Sequence, residues 1–157
     1  MLRLPGVTLI SALGLAAVLL AGAPRAAAEP LAWSVRVGDY THAGNAFLGG
    51  EVVVPLRYGW ELAPNVEAVF VSHGHLVTAN FDAHVELPVQ RPFSAWVGGG
   101  PALVFRGNSA AGGNSTDFGF DLLAGAGWRV ASVLPYVQAK ALLSSTSDFV
   151  IAFGLRF

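Results

Sequence analysis

Between residues 77 and 87 the side chains alternate without a break. Val77, Ala79, Phe81, Ala83, Val85 and Leu87 hold one set of positions; Thr78, Asn80, Asp82, His84 and Glu86 hold the other. A period of two is that of a strand whose faces meet different surroundings, here one as apolar as lipid and one wet. The pattern recurs in Phe118, Phe120, Leu122, Ala124, Ala126 and Trp128 against Gly119, Asp121, Leu123, Gly125, Gly127 and Arg129. It returns in Phe149, Ile151, Phe153, Leu155 and Phe157 against Val150, Ala152, Gly154 and Arg156. From residue 29 onward no stretch shows the 3.6-residue period of a helix, so the expected class is all-β. Weaker copies bring the expected strands to eight, at 33–40, 47–60, 66–72, 77–87, 93–105, 118–130, 136–143 and 148–157. Turn-forming residues separate them at Ala63-Pro64-Asn65, 88–92, 107–116 and 144–147. Pro55 and Pro101 fall inside expected strands, where each removes a ladder hydrogen bond, so both predict bulges or breaks.

Residues 1–28 follow a different rule. One arginine near the start, an apolar stretch from Leu9 to Gly22 and Ala26-Ala27-Ala28 have the order of a secretory signal peptide with a small-residue cleavage site. An uncleaved anchor is the alternative. The remainder, 29–157, is then one exported domain. It contains no cysteine, so neither a disulfide framework nor a lipidated cysteine supports it.

Composition bears on where the apolar face points. The chain is 54% hydrophobic and 12% charged with a net charge of −1, which excludes the basic face that nucleic-acid binding requires. Beyond the first segment no apolar run reaches the length of a spanning helix, about 20 residues. Two architectures compete: a soluble sandwich or lipocalin-like barrel, and an eight-stranded antiparallel up-and-down transmembrane β-barrel. The charged residues on expected strands share one face: Arg36, Glu51, Arg57, Glu67, Asp82, Glu86, Asp121, Arg129, Lys140 and Arg156, with His84 among them. Five acids and five bases can neutralise one another, and inside a narrow barrel pairing is close to obligatory because unpaired buried charge is costly. Aromatic placement favours the membrane reading. Trp33, Tyr58, Trp60, Phe93, Trp128, Tyr136 and Phe157 are expected near one rim, and Phe47, Phe70, Phe105, Phe118 and Phe149 near the other, as two interfacial belts.

The ending, with Phe149, Ile151, Phe153, Leu155 and the terminal Phe157, resembles the C-terminal assembly signal of bacterial outer-membrane proteins. Residues 29–157 as a whole resemble the small outer-membrane β-barrel superfamily of OmpA and OmpX type. The resemblance implies an outer-membrane location, contact with outer-membrane lipid, and recognition of the last strand by the barrel-assembly machinery.

Candidate chemistry is sparse. Lipid A deacylases of the same superfamily resemble serine hydrolases with a histidine and a serine two apart on a strand, and no such pair occurs here. Asp82, His84 and Glu86 point the same way and could orient a base, but they read more simply as a hydrogen-bond ladder answered by Arg57, Arg129 or Lys140. His73 and His75, with His42 in the neighbouring loop, have metal-ligand spacing but read as rim residues. No cofactor is expected. Eight strands leave an interior just wide enough for side chains to fill, and Val53, Leu123 and Val150 join the charged residues there. The expected function is a non-enzymatic envelope barrel, serving structure or surface interaction, with a charge-paired plug and a surface partner the residues do not name. The alternatives are a barrel that binds or passes a small hydrophobic molecule, and a lipid-acting enzyme.

Overall fold

The computed structural model describes residues 30–108 and 113–157; the expected signal peptide at 1–28 lies outside them. The eight strands are β1 (Ala32–Tyr40), β2 (Asn45–Pro55), β3 (Trp60–Val69), β4 (His75–Glu86), β5 (Phe93–Asn108), β6 (Gly113–Trp128), β7 (Leu134–Leu143) and β8 (Asp148–Arg156). Each pairs antiparallel with its neighbours in sequence, and β1 pairs with β8, so the sheet closes into a barrel. Every ladder keeps one register along its length. Stepping from partner to partner through all eight ladders returns to β1 displaced by ten residues. That stagger is what obliges the strands of a closed barrel to tilt, by about 35–45°.

The side-chain faces are inverted relative to a soluble protein, as the alternation predicts. Val35, Val37, Leu48, Val66, Phe81, Leu122, Ile151 and Phe153 stand exposed on the outer wall, while Arg36, Glu51, Glu67, Asp82 and Asp121 are buried inside. In water such an outer wall would be an aggregation surface. A closed ladder within lipid satisfies its backbone groups and costs nothing in exposed apolar area.

Four differences from the sequence expectation have physical causes. First, Ala63-Pro64-Asn65 is not a turn; it lies within β3, and the chain reverses at Arg57-Tyr58-Gly59 instead, where Tyr58 (φ 63°) and Gly59 (φ 75°) are both left-handed. Second, no proline makes a bulge: Pro55 stays in register with Glu61, Pro101 gives the expected break, and a further break falls at Pro64. Pairing of β2 with β3 lapses between Glu51↔Asn65 and Val54↔Leu62, opposite Pro64, and that of β4 with β5 lapses between Asn80↔Ala102 and Ala83↔Gly99, opposite Pro101. Register resumes unchanged each time, because only the missing N–H is lost and no residue is inserted. Third, much of the expected 107–116 loop is strand, so β5 and β6, 16 residues each, rise as a hairpin above the barrel. Fourth, Phe47 and Tyr136 face inward rather than joining the belts.

The start of β1, the end of β8 and the turns 56–59, 87–92 and 129–133 lie at one rim, called here the lower rim. Trp33, Trp60, Phe93, Trp128 and Phe157 are exposed around it, with Phe93 and Trp128 in contact at 4.7 Å between ring centroids. At the opposite end the hairpin foot is tied to the β7–β8 turn. Asp117 accepts a hydrogen bond from Ser145 Oγ and one from Arg106 at 3.4 Å, and Arg106 donates to Thr146 Oγ1 at 3.0 Å. Asp117 stands above the apolar belt, and the Ser145 hydroxyl, then Arg106, hold its carboxyl below the ordinary range. A depressed carboxyl stabilises the tie above the unfolded-state pKa and releases it as pH falls through the folded-state value. In an NMR titration, Ser145 and Arg106 signals should therefore shift with a midpoint below the ordinary aspartate range. Asp117→Asn should abolish that titration.

Candidate functional site

Among the described residues, interacting polar and charged side chains concentrate in the lumen, and it is layered. Nearest the upper end an apolar layer closes it: Tyr40, Phe47, Val69, Val104, Leu142 and Val150, drawn from six strands. Nearest the lower rim Trp96, Leu123, Leu134 and Tyr136 form a second layer. Between and around them runs a chain of charge.

Glu67, wholly buried, is the hub. Its carboxylate accepts from Arg36 Nη2 at 2.6 Å, from Lys140 Nζ at 3.0 and 3.1 Å, from Thr78 Oγ1 at 3.0 Å and from the Tyr40 hydroxyl. Arg36 extends the chain to Glu51 at 3.2 Å and to the side-chain oxygen of Asn65. Glu51 lies 3.6 Å from Arg156, which reaches Glu61 at 3.3 Å, and Glu61 meets His84 Nε2 at 2.6 Å. On the other side Lys140 lies 3.5 Å from Asp121, and Asn65 Nδ2 donates to Asp82 at 2.8 Å. Every strand except β5 supplies a charged member, so the network staples the barrel across its interior as well as around its wall. A carboxylate accepting several charge-assisted bonds from fixed donors offsets the desolvation that an isolated buried charge would suffer.

Glycines make the room. A Cβ on Gly125 would sit 2.3 Å from the Trp96 ring, and one on Gly154 would sit 2.3 Å from the Tyr136 ring, so each ring covers the bare backbone of its direct partner on the adjacent strand. Trp96 and Tyr136 meet edge to face at 5.5 Å, and the Arg156 guanidinium sits 4.9 Å from the Trp96 centroid. Trp96 Nε1 donates to Gln138 at 3.2 Å. The lower layer is thus aromatic but joined to the charge chain through Arg156.

Of the eleven residues expected in the lumen, Arg36, Glu51, Glu67, Asp82, His84, Asp121, Lys140 and Arg156 are buried there. Arg57, Glu86 and Arg129 are exposed at the lower rim instead: Arg57 belongs to the turn, Glu86 ends β4 and Arg129 follows the last residue of β6. Their parity is inward, but the barrel stops before it covers them. Sequence reasoning missed Glu61, which becomes visible once Trp60 is placed on the outer wall, because 61, 63, 65 and 67 then alternate inward. It also missed the neutral partners Asn65 and Gln138, whereas Thr78 and Asn80 stand on the polar face that the 77–87 alternation predicts. The five-to-five balance is corrected accordingly. Among the described residues the lumen holds five carboxylates, Glu51, Glu61, Glu67, Asp82 and Asp121, against three strong bases, Arg36, Lys140 and Arg156. Among the described residues no three His, Asp or Glu side chains converge as metal ligands, and the spacing of His42, His73 and His75 leads to no such cluster.

No family model matches the chain, and no curated protein matches it. Solved structures do. The N-terminal β-barrel domain of Pseudomonas aeruginosa OprF superposes with a TM-score of 0.70 at 16% identity, over 81% of this chain and 95% of that one. Neisserial surface protein A gives 0.60 at 12% identity over 80% and 92%, and a de novo designed transmembrane β-barrel gives 0.60 at 18% over 81% and 92%. At these identities the agreement is one of backbone architecture, reached by sequences that share a pattern rather than residues. Closed eight-strand topology, inverted faces and these superpositions agree: the chain has the fold of the small OmpA-type outer-membrane β-barrels.

Proposed function

We propose that the protein is a non-enzymatic barrel of the bacterial outer membrane, serving envelope structure or surface interaction, whose charge-paired lumen is a plug. The observation that carries this reading is the continuity of the filling: the Glu67-centred network and the two apolar layers together engage side chains from all eight strands. A conduit for water or a lipophilic molecule requires a lumen whose walls stand apart, whereas here opposing walls are bonded to each other. Catalysis on lipid requires a nucleophile beside a base, and the imidazole in the lumen, His84, is engaged by a carboxylate and lies tilted against Trp96 at 5.9 Å between ring centroids. The outer wall takes lipid as its partner, and β8, with Phe149, Ile151, Phe153 and Leu155 outward, presents the strand that the assembly machinery would read.

At the upper end the described turns, 41–44, 70–74 and 144–147, are short, so the β5–β6 hairpin is the projection through which a surface contact would run. The test is conductance. Purified protein in a planar bilayer should show no steady ion current, and Glu67→Ala, which unbolts the hub, should introduce one or fail to insert. Steady current through the wild type would instead favour passage.

A further inference from the structure

We propose that the cleft at the lower rim holds the head group of a zwitterionic phospholipid, its phosphate on Arg91 and Arg129 and its ammonium on Glu86. This rests on the proposed function, in which the β5–β6 hairpin faces out of the cell and the lower rim lies at the periplasmic surface of the membrane. The cleft, about 400 Å³, lies between the turns 87–92 and 129–133 and is lined by Glu86, Arg91, Phe93, Ser94 and Arg129 among others. The backbone fixes it: Arg129 N donates to Pro92 O at 2.8 Å, and Phe93 pairs with Trp128, so the two arginine-bearing turns are held together.

Three features point to the ligand. Arg91, Arg129 and Glu86 are exposed, and among the described residues none has an opposite charge within ion-pair distance, unlike the charged residues of the lumen. The guanidinium fork matches phosphate oxygens, and Ser94 adds a hydroxyl donor in the same cleft. A lone carboxylate would weaken a plain anion site, but it complements the ammonium of a phosphoethanolamine group. Beside the cleft, Phe93 and Trp128, in contact with their rings inclined at 56°, face outward at the belt, where acyl chains meet head groups. Charge pattern and aromatic wall together describe an amphiphile with a phosphate and an amine at one end.

A phosphodiester could equally arrive on a soluble phosphate ester, and the test separates the sources. Detergent-solubilised protein is titrated with short-chain phosphatidylethanolamine, short-chain phosphatidylglycerol and free glycerophosphoethanolamine, and retained adducts are read by native mass spectrometry. The wild type should retain both lipids. Arg91→Gln with Arg129→Gln should lower retention of each about tenfold, the loss expected for charge-assisted hydrogen bonds. Glu86→Gln should lower phosphatidylethanolamine retention and spare phosphatidylglycerol. Equal retention by wild type and the double variant overturns the site, and binding of the free ester as strong as that of the lipid overturns the lipid source. All three residues are exposed, and heat-shifted gel mobility verifies that each variant is folded. The underlying orientation is tested apart. The chain has no cysteine, so Arg57→Cys places a single thiol on the same rim. Labelling of that thiol in intact cells by a membrane-impermeant maleimide would show the rim facing outward and refute the orientation, whatever the lipid titration gives.

Discussion

Glu67→Ala should be among the most destabilising single substitutions in this barrel. It strands two buried cations, Arg36 and Lys140, and removes the acceptor of the Tyr40 and Thr78 hydroxyls. Breaking a buried ion pair from one side costs about 3–5 kcal/mol, because the surviving charge stays in a poor solvent. The expected result is a clear fall in the urea midpoint of unfolding in detergent micelles, with a folded fraction that loses heat-modifiable mobility at lower temperature. The penalty belongs to the stranded charges rather than to the loss of a carboxylate as such. Glu67→Leu with Lys140→Met, which removes a cation as well, should therefore recover much of the loss. Asp121→Asn supplies the contrast. With five carboxylates facing three strong bases, removing one negative charge on the surplus side should change stability by less than about 1 kcal/mol. If Glu67→Ala were as mild as Asp121→Asn, the network would be ornament rather than a staple.

Trp96→Ala should rank beside it, for a different reason. Trp96 is buried, seats on Gly125, meets Tyr136 edge to face, carries the Arg156 guanidinium on its ring and donates to Gln138. Truncating a buried tryptophan costs about 3–5 kcal/mol through lost contacts and the cavity left behind. Gly125→Ala should act on the same contact from the adjacent strand, where Gly125 is the direct partner of Trp96, because its Cβ would sit 2.3 Å from the ring. Forcing an extra carbon into a filled site costs about 1–3 kcal/mol. In a Trp96→Ala background the same alanine meets no ring and should be nearly neutral, and that non-additivity in the urea midpoints is the signature of direct contact.

How far these features were legible in the sequence depends on which rule governed each residue. Faces were legible wherever alternation ran unbroken: β4, β6 and β8 have the inward and outward sets that their spacing dictates, and eight charged lumen residues follow from parity alone. The β2–β3 turn was not, because its chemistry is atypical. Tyr58 occupies a left-handed position that usually selects Gly or Asn, while Pro64-Asn65 has turn composition but sits in a strand. Pro64 survives there because the N–H it lacks faces a gap in one ladder, and Asn65 because its amide is consumed in the lumen by Arg36, Asp82 and Asn80. Where the barrel ends is set by pairing between strands distant in sequence, so Arg57, Glu86 and Arg129 could not be told from lumen residues by parity. Tyr136 shares the parity of Gln138 and Lys140; its aromatic character suggested a belt, but alternation decides. The outward and inward roles of glycine were likewise hidden, because a seat for a ring is visible only when the facing strand is known.

In the proposed function the apolar wall faces lipid and the charges face a closed interior. Electrophoretic mobility of heated and unheated protein, taken from outer-membrane and soluble fractions, tests it most directly. The protein is expected in the outer-membrane fraction, running as a compact form when unheated and as a slower, unfolded form after boiling. A folded protein recovered from the soluble fraction without detergent, with no change on heating, would contradict it and require the apolar wall to be buried against something other than a membrane.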